Sequence, residues 1–232
     1  MSCANAQEGA PDDGEGTGYT CLYHESPTGT SLDYTGVGYQ YVTGDTGPYH
    51  AMYLCNCNHG GVDLGVARGG TVSEALDWSG NIIFVGFGDA ADGVTHGLVW
   101  PNGAGSATIL PMPPGVDPHT PSKAYAVDSA GEIVGSYSLA DDPQNVGSRA
   151  VLWEPDATAP DGSGYVAYDL TSLLPSSASG LVLGSAYAIG CTGDVAADGT
   201  PAKWQSDPQT ASLTAHRYVV LRDGGNGASC SP

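Results

Sequence analysis

Short apolar runs alternate with turns along the whole chain. Runs such as "NIIFVGFG" and "GLVLGSAYAIG" are bounded by glycine, proline and aspartate. The strand positions are built on valine, isoleucine, tyrosine and threonine, which favour β-structure. No window approaches the roughly 20 apolar residues of a membrane span. The pattern predicts an all-β protein made of many short strands.

Three segments share one order of small, apolar, turn and glycine positions, which predicts a strand, a tight turn and a second strand. They are "ALDWSGNIIFVG" (75–86), "AVDSAGEIVGSY" (126–137) and "AIGCTGDVAADG" (188–199). Gly80, Gly131 and Gly193 align the three segments. An internal repeat is therefore the main organising feature of the sequence.

Two further elements accompany each segment. One ends on an aromatic residue: "HAMYL" (50–54), "HGLVW" (96–100), "RAVLW" (149–153) and "PAKW" (201–204). The other follows it: "VDLG" (62–65), "TILP" (108–111), "YDLTSLLP" (168–175) and "YVVL" (218–221). Tyr53, Trp100, Trp153 and Trp204 are spaced by 47, 53 and 51 residues. About four strands in each period of about 50 residues are typical of a β-propeller blade.

The first copy carries the triplet His50-Ala51-Met52, followed by Tyr53-Leu54 and then Asp63-Leu64-Gly65. This pattern resembles the bacterial extracellular HAF-type repeat, which is named for a His-Ala-Phe triplet. Later copies depart from it, with Gly-Leu-Val and Ala-Val-Leu at the triplet. The resemblance covers roughly residues 36–221. It implies a secreted or surface β-propeller and says little about activity.

The repeats predict one β-propeller domain over residues 18–222, with about four to five four-stranded blades stapled by disulfides. Its parts are repeats near 37–65, 75–111, 124–175 and 186–221 and an extra outer strand pair over 18–34. Residues 1–17 read as a flexible tether and 223–232 as a C-terminal tail. The surplus half-blade predicts an open strand edge, and such edges pair with other chains.

The charge of the chain is strongly acidic, with 25 Asp and Glu against 6 Lys and Arg and a formal net charge of −19. A nucleic-acid partner is excluded because its phosphates require a basic patch. An anionic membrane surface is excluded on the same grounds. Low lysine, abundant aspartate and glycine, and an even number of cysteines favour a secreted or cell-surface protein.

The six cysteines predict three disulfides, whose pairing the sequence leaves open among 15 connectivities. They are Cys3, Cys21, Cys55, Cys57, Cys191 and Cys230. A Cys3–Cys230 bond would close the longest loop, and Cys21 has a local candidate partner in Cys55 or Cys57. Cys55, Cys57 and His59 form an alternative zinc or copper site. Lipid anchoring through Cys3 is a further alternative.

Two acidic turns offer oxygen ligands of the kind that calcium prefers. "DAADG" (89–93) contributes Asp89 and Asp92, and "DVAADG" (194–199) contributes Asp194 and Asp198. The alternative is turn chemistry alone, because Asp-Gly closes hairpins without a ligand. Trp78 interrupts the repeat and is a candidate stacking platform for a sugar.

Known catalytic motifs are absent from the sequence: there is no Gly-x-Ser-x-Gly elbow, no His-Glu-x-x-His and no phosphate-binding loop. The sequence therefore favours a non-catalytic structural or interaction module that self-assembles through an open edge into a filament or surface assembly. One alternative is a calcium-dependent lectin that binds glycans. Another is a hydrolase or lyase with a site at the end of the propeller.

Overall fold

The structure of the chain is a computed structural model. It describes residues 2–5, 19–27, 34–42, 47–55, 60–80, 82–103, 105–139, 147–178, 180–201 and 216–220. Side chains are described over 36–42, 47–53, 61–80, 82–103, 105–139, 147–178 and 180–199. In this part of the chain the only helices are two short 3-10 helices, Leu170–Leu173 and Ser176–Ala178. The predicted all-β class is confirmed.

Sixteen strands make up the described structure. They are β1 (Ser2–Asn5), β2 (Tyr19–Pro27), β3 (Tyr34–Tyr41), β4 (Tyr49–Cys55), β5 (Gly60–Gly65), β6 (Ser73–Ser79), β7 (Ile83–Asp89), β8 (Thr95–Trp100), β9 (Thr108–Ile109), β10 (Ser122–Val127), β11 (Ile133–Ser138), β12 (Ser148–Pro155), β13 (Tyr165–Asp169), β14 (Leu181–Ile189), β15 (Val195–Pro201) and β16 (His216–Val220). No helix in the described part of the chain is both long and apolar enough to cross a membrane.

The strands form four antiparallel sheets, and in each sheet the spatial order follows the order along the chain. The sheets are β1–β5, β6–β9, β10–β13 and β14–β16. Each strand pairs with its neighbour along the chain, so every sheet is a simple meander. None of the four sheets closes on itself within the described residues.

The chain divides into two compact units, Met1–Ile109 and Leu110–Pro232, and each has a core between its two sheets. In the first unit Val37 and Leu64 pack with Phe84, Leu98 and Trp100. The core of the second unit is built from Val134, Leu152, Leu170, Leu183 and Val195, with alanines between them. Small residues alternate with large ones, which lets the facing sheets interdigitate.

Buried hydrogen bonds fasten the sheets of the first unit to each other. The Ser73 hydroxyl, which is fully buried, accepts from the Ala51 amide (2.9 Å) and donates to the Gly65 carbonyl (2.8 Å). The Trp100 indole also donates to Gly65 (3.3 Å). In the second unit Trp153 donates in the same way to the Pro111 carbonyl (2.7 Å). Gly65 and Pro111 both close the element that precedes the next sheet, so the bond is part of the repeat.

The first sheet differs from the sequence prediction at its beginning. Tyr19–Pro27, part of the predicted outer pair, forms β2 and lies between β1 and β3, while residues 28–33 of that pair lie outside the described residues. Ser2–Asn5, predicted as part of a tether, forms β1. Four residues give almost no strand signal alone, and β1 obtains its hydrogen bonds from β2. Residues 6–18 and the predicted tail 223–232 lie outside the described residues.

The last sheet also differs from the prediction. "PAKW" was expected to form the third strand of this sheet, but Pro201 ends β15 and residues 202–204 lie outside the described part. The third position belongs to β16, which pairs with β15 over five residue pairs from Val195–Val220 to Gly199–His216. The described part of this sheet therefore has three strands.

Candidate functional site

The first repeated hairpin of every sheet contains a β-bulge at the same place. The residue before the bulge lies opposite a small residue on the second strand. The extra residue lies opposite no residue of that strand in the ladder. The bulged residues are Tyr23, Leu76, Tyr125 and Tyr187, and the opposite small residues are Gly38, Gly86, Gly135 and Ala197. Bulges re-aim a side chain and are frequent beside binding sites. These positions are therefore where a repeated scaffold would carry its chemistry.

The glycines opposite two of these bulges are required by close approach of the backbone. A Cβ atom at Gly86 would lie 1.9 Å from the Glu74 carbonyl oxygen. At Gly135 it would lie 2.0 Å from the Lys123 carbonyl oxygen. No side chain can be placed at such distances without moving the strand. In these two hairpins the bulge and the glycine opposite it are thus one structural unit, whereas Ala197 takes the same place in β15.

Two of the bulged residues, Tyr125 and Tyr187, form an aromatic pair in the second unit. Their ring centroids are 5.4 Å apart and their planes are inclined by 31°. This offset arrangement is favourable for aromatic rings. Tyr187 is 47% exposed and Tyr125 is half-buried. The pair therefore presents aromatic surface to solvent.

Each ring of the pair has a polar partner on the strand opposite it. The Ser136 hydroxyl donates to the Tyr125 phenol oxygen (3.3 Å), and the Tyr187 hydroxyl is hydrogen-bonded to Asp198. Burial raises the pKa of Tyr187 and the bond to Asp198 raises it further, while a hydrogen bond with Ser185 opposes the shift. The Tyr187 phenol is thus protonated at neutral pH. We call these five residues the tyrosine site.

The positions of Ser136 and Asp198 are equivalent in the repeat. Each comes directly after the small residue that faces the bulge, Gly135 or Ala197. In β6–β7 the corresponding pair is Leu76 and Phe87. The same bulged backbone therefore forms with two apolar side chains at these positions. The polar groups of the tyrosine site are not needed to form the bulge.

A second aromatic cluster lies where β3 and β4 meet, in the first unit. Tyr39 and Tyr49 have ring centroids 4.9 Å apart, and Tyr41 lies 5.8 Å from Tyr39 and 5.9 Å from Tyr49. Burial raises the pKa of Tyr39 and of Tyr49, and the nearby carboxylate of Glu74 raises both further. These rings pack edge-on against one another, so they chiefly cover each other.

Asp89, a predicted calcium ligand, accepts three hydrogen bonds that hold the start of β6. The amides of Thr71 and Val72 each donate to Oδ1 at 2.7 Å, and the Thr71 hydroxyl donates to Oδ2 at 2.8 Å. Burial raises the pKa of Asp89, but the hydrogen bonds from Val72 and Thr71 outweigh it and leave the pKa below its ordinary value. Its oxygens therefore already serve the backbone.

The other three predicted calcium ligands also have local partners. Asp92 bonds to the His96 Nε2 atom (3.0 Å) and accepts from the Val94 amide (3.0 Å). Asp194 accepts from the Thr192 hydroxyl (3.0 Å), and Asp198 belongs to the tyrosine site. Among the described residues no group of three or more potential metal ligands occurs. Calcium at these four aspartates stays a prediction.

His50 and His96 occupy equivalent positions, opposite Gln40 and Gly88, and each bonds to a carboxylate. His50 Nδ1 lies 2.9 Å from Asp63 on β5, whereas His96 Nε2 lies 3.0 Å from Asp92 in the turn before β8. Such bonds fix the neighbouring turn or strand. Both histidines therefore have a structural role.

Trp78, the predicted stacking platform, is half-buried and packs against the core of the first unit. Its ring centroid lies 6.4 Å from that of Tyr53. A role for Trp78 in binding a sugar stays a prediction.

The cysteines are only partly within the described residues. Cys191 is disulfide-bonded, while the side chains of the other five, and the whole of Cys57, His59 and Cys230, lie outside the described part. The local pairing of Cys21 with Cys55 is wrong, because β3 lies between their strands. Two strand spacings are about 9–10 Å, and Cys55 also lies four residues along β4 from Ala51, which is in line with Cys21, so their Cα atoms are well beyond the ~7 Å limit of a disulfide.

Comparison of the chain with protein-family models, with curated proteins and with solved structures finds no match. The resemblance to HAF-type repeats therefore stays a prediction.

The tyrosine site is not found by the alignment of repeats, which begins one residue too late. Its signal is a tyrosine between two alanines, "AYAV" (124–127) and "AYAI" (186–189). In a regular strand that tyrosine would simply alternate with its neighbours. Only the register shift between Ala124 and Ala126, and between Ala186 and Ala188, shows that it is an inserted residue.

Proposed function

We propose that this protein is a secreted or cell-surface β-propeller module of HAF-like repeats, without catalytic activity, that assembles with its own copies by strand addition. The observation that carries the proposal is the unequal strand count of the first and last sheets. The first sheet has five strands and the last has three in the described part of the chain, whereas the two sheets between them have four each.

The sheet with five strands lies at the amino end of the chain, and the sheet with three described strands lies at the carboxyl end. Counted from the bulge, β2–β5 is equivalent to β6–β9, so β1 is the strand that the repeat does not require. The last sheet ends at β16 in the described residues. An edge strand offers a row of unpaired backbone groups, and an extended segment of another chain can pair with it. We infer that β1 of one copy adds to β16 of the next.

A disulfide-bonded cysteine supports the secreted or cell-surface location, and the net charge of the chain bears on how copies assemble. Cys191 is disulfide-bonded, and disulfides persist in oxidising surroundings. The net charge of −19 makes copies repel at low ionic strength. Salt screens this repulsion, and calcium would neutralise it more effectively at the carboxylates. Assembly should therefore be favoured by salt and by calcium.

Light scattering and negative-stain imaging of the full chain test the proposal, with calcium and with chelator. We expect particles many times larger than the 23.5 kDa chain, in filaments or ordered oligomers. Deletion of residues 1–5 should reduce them to single chains with an unchanged circular dichroism spectrum, because β1 is the outermost strand of its sheet.

The matched control is the double substitution Cys3→Ser and Cys21→Ser, which keeps β1 but removes any disulfide through it. This variant should still assemble. A full chain that stays at 23.5 kDa under all of these conditions would contradict the proposal. So would a deletion variant that assembles like the full chain.

A further inference from the structure

The tyrosine site combines an exposed aromatic face with hydrogen-bonding groups of several kinds. The faces of aromatic rings carry partial negative charge, and the polarised C–H groups on the apolar face of a sugar ring can lie against them. Tyr187, at 47% exposure, offers such a face beside Tyr125. Aromatic stacking alone would bind any flat apolar ligand. The polar groups around the rings therefore determine which chemical class of ligand the site binds.

The polar groups around the rings include both signs of charge. Asp198 is hydrogen-bonded to Tyr187, and Ser185 lies directly opposite Asp198 in the ladder. Lys123 lies directly opposite Ser136. Residues directly opposite each other share a face of their sheet, so the two strand pairs that carry the rings also carry one cationic and one anionic residue. Such a surface does not select a cation or an anion, but it suits a neutral ligand rich in hydroxyl groups.

The site is also not a by-product of the fold. The equivalent positions in β6–β7 are Leu76 and Phe87, which form the same bulge without polar groups. The tyrosine site therefore carries chemistry that its backbone does not require. The site lies on β10, β11, β14 and β15, whereas the proposed assembly uses β1 and β16.

We propose that Tyr125 and Tyr187, with Asp198 and Ser185, bind a neutral saccharide. The sugar stacks on the exposed Tyr187 ring, and its hydroxyl groups exchange hydrogen bonds with Asp198 and Ser185, while the buried Ser136 holds the Tyr125 ring. The site requires no metal ion. This inference is independent of assembly, because none of its residues lies on β1 or β16.

The test is binding of the full chain, in the presence of chelator, to four immobilised neutral oligosaccharides: cellotetraose, chitotetraose, maltotetraose and mannotetraose. We expect retention on at least one, followed by calorimetric titration with that sugar in solution. Tyr187→Ala should weaken binding by about tenfold or more, equivalent to about 1.4 kcal/mol. Tyr187→Phe keeps the ring and should stay within about threefold of the wild type.

The matched control is Tyr168→Ala, at a half-buried tyrosine on β13 in the same unit. It should leave sugar binding unchanged. Melting curves of each variant separate lost binding from lost folding, and Tyr187→Phe keeps the test valid if the alanine variant unfolds. Retention on none of the four sugars would overturn the proposal, as would equal losses in the Tyr187→Ala and Tyr168→Ala variants. Binding that the chelator abolishes would also overturn it. The assembly of the Tyr187→Ala variant should be unchanged.

Discussion

Single carboxylates in this protein act mainly as acceptors for nearby backbone amides. Asp89 binds the amides of Thr71 and Val72, Asp128 binds those of Ala130 and Glu132, and Asp156 binds that of Thr158. Aspartate is common in turns because its side chain can satisfy the amide two residues on. Many of the 25 acidic residues thus have a structural use before any ligand is considered.

Asp89 makes a testable contribution to the pH dependence of stability. Its pKa in the folded state lies below the ordinary value of 3.8, so its stabilising effect is present above that pH and is lost as the pH falls through the folded pKa. Asp89→Asn should lower the free energy of unfolding at about pH 7. The difference from the wild type should close progressively below about pH 4. Urea unfolding at a series of pH values measures both.

The control for this prediction is Asp117→Asn, because Asp117 is exposed and accepts a single backbone bond, from His119. It should change stability little at either end of the pH range. A gap between wild type and Asp89→Asn that is the same at acid and neutral pH would refute the role of the ionised carboxylate.

At the scale of the element, strand content was predictable and register was not. The apolar runs predict the hairpins because residue type alone favours β-structure. The side-chain period of a strand is two, so an error of one residue exchanges its faces. Leu54, opposite Gly36, holds the register position of Trp100 and Trp153, where the repeat had suggested Tyr53.

The turns of the hairpins show a similar limit. Gly131 and Gly193 have positive φ (85° and 80°), as their repeated position suggests. In β6–β7 the residue with positive φ is Ile82 (64°), which is 58% exposed, and the aligned Gly80 is not in this conformation. Counted from the small residue opposite the bulge, Ile82, Gly131 and Gly193 hold the same position, so alignment on Gly80 misplaces this turn by two residues. The bulges and the tyrosine site also depend on the register of strand pairing, which the sequence does not reveal.

The bulge makes a sharp prediction about two glycines of one hairpin. Gly86→Ala should destabilise the protein by about 1–3 kcal/mol, because its Cβ would collide with the Glu74 carbonyl and displace a strand. Gly80→Ala meets nothing within 4 Å. It should be neutral or stabilise by up to about 1 kcal/mol through the unfolded chain. Chemical denaturation of both variants measures the contrast, and equal effects would show that the bulge does not impose the glycine.

At the scale of the whole molecule, the disulfide framework can be narrowed by strand register. Cys3 lies directly opposite Cys21 in the β1–β2 ladder. Opposite residues in an antiparallel pair have Cα atoms about 4.5–5.5 Å apart, which a disulfide can bridge. We therefore predict a Cys3–Cys21 bond, in place of the long-range Cys3–Cys230 bond.

Peptide mapping by mass spectrometry without reduction tests this pairing. A linked peptide containing Cys3 and Cys21 is expected, and Cys191 should then appear joined to one of the remaining three cysteines. A peptide joining Cys3 to Cys230 would disprove the assignment. The reduced and alkylated sample is the control, in which every linked peptide should disappear.

The indole groups of Trp100 and Trp153 donate hydrogen bonds to carbonyl groups earlier in the chain. Each acceptor carbonyl is synthesised before its donor, by 35 residues for Gly65 and by 42 residues for Pro111. A nascent chain emerges from its amino end, and its parts can fold in that order. When either tryptophan leaves the ribosome, the carbonyl to which it binds has already emerged. Both hydrogen bonds can therefore form as soon as the tryptophan has been synthesised, before the rest of the chain is made.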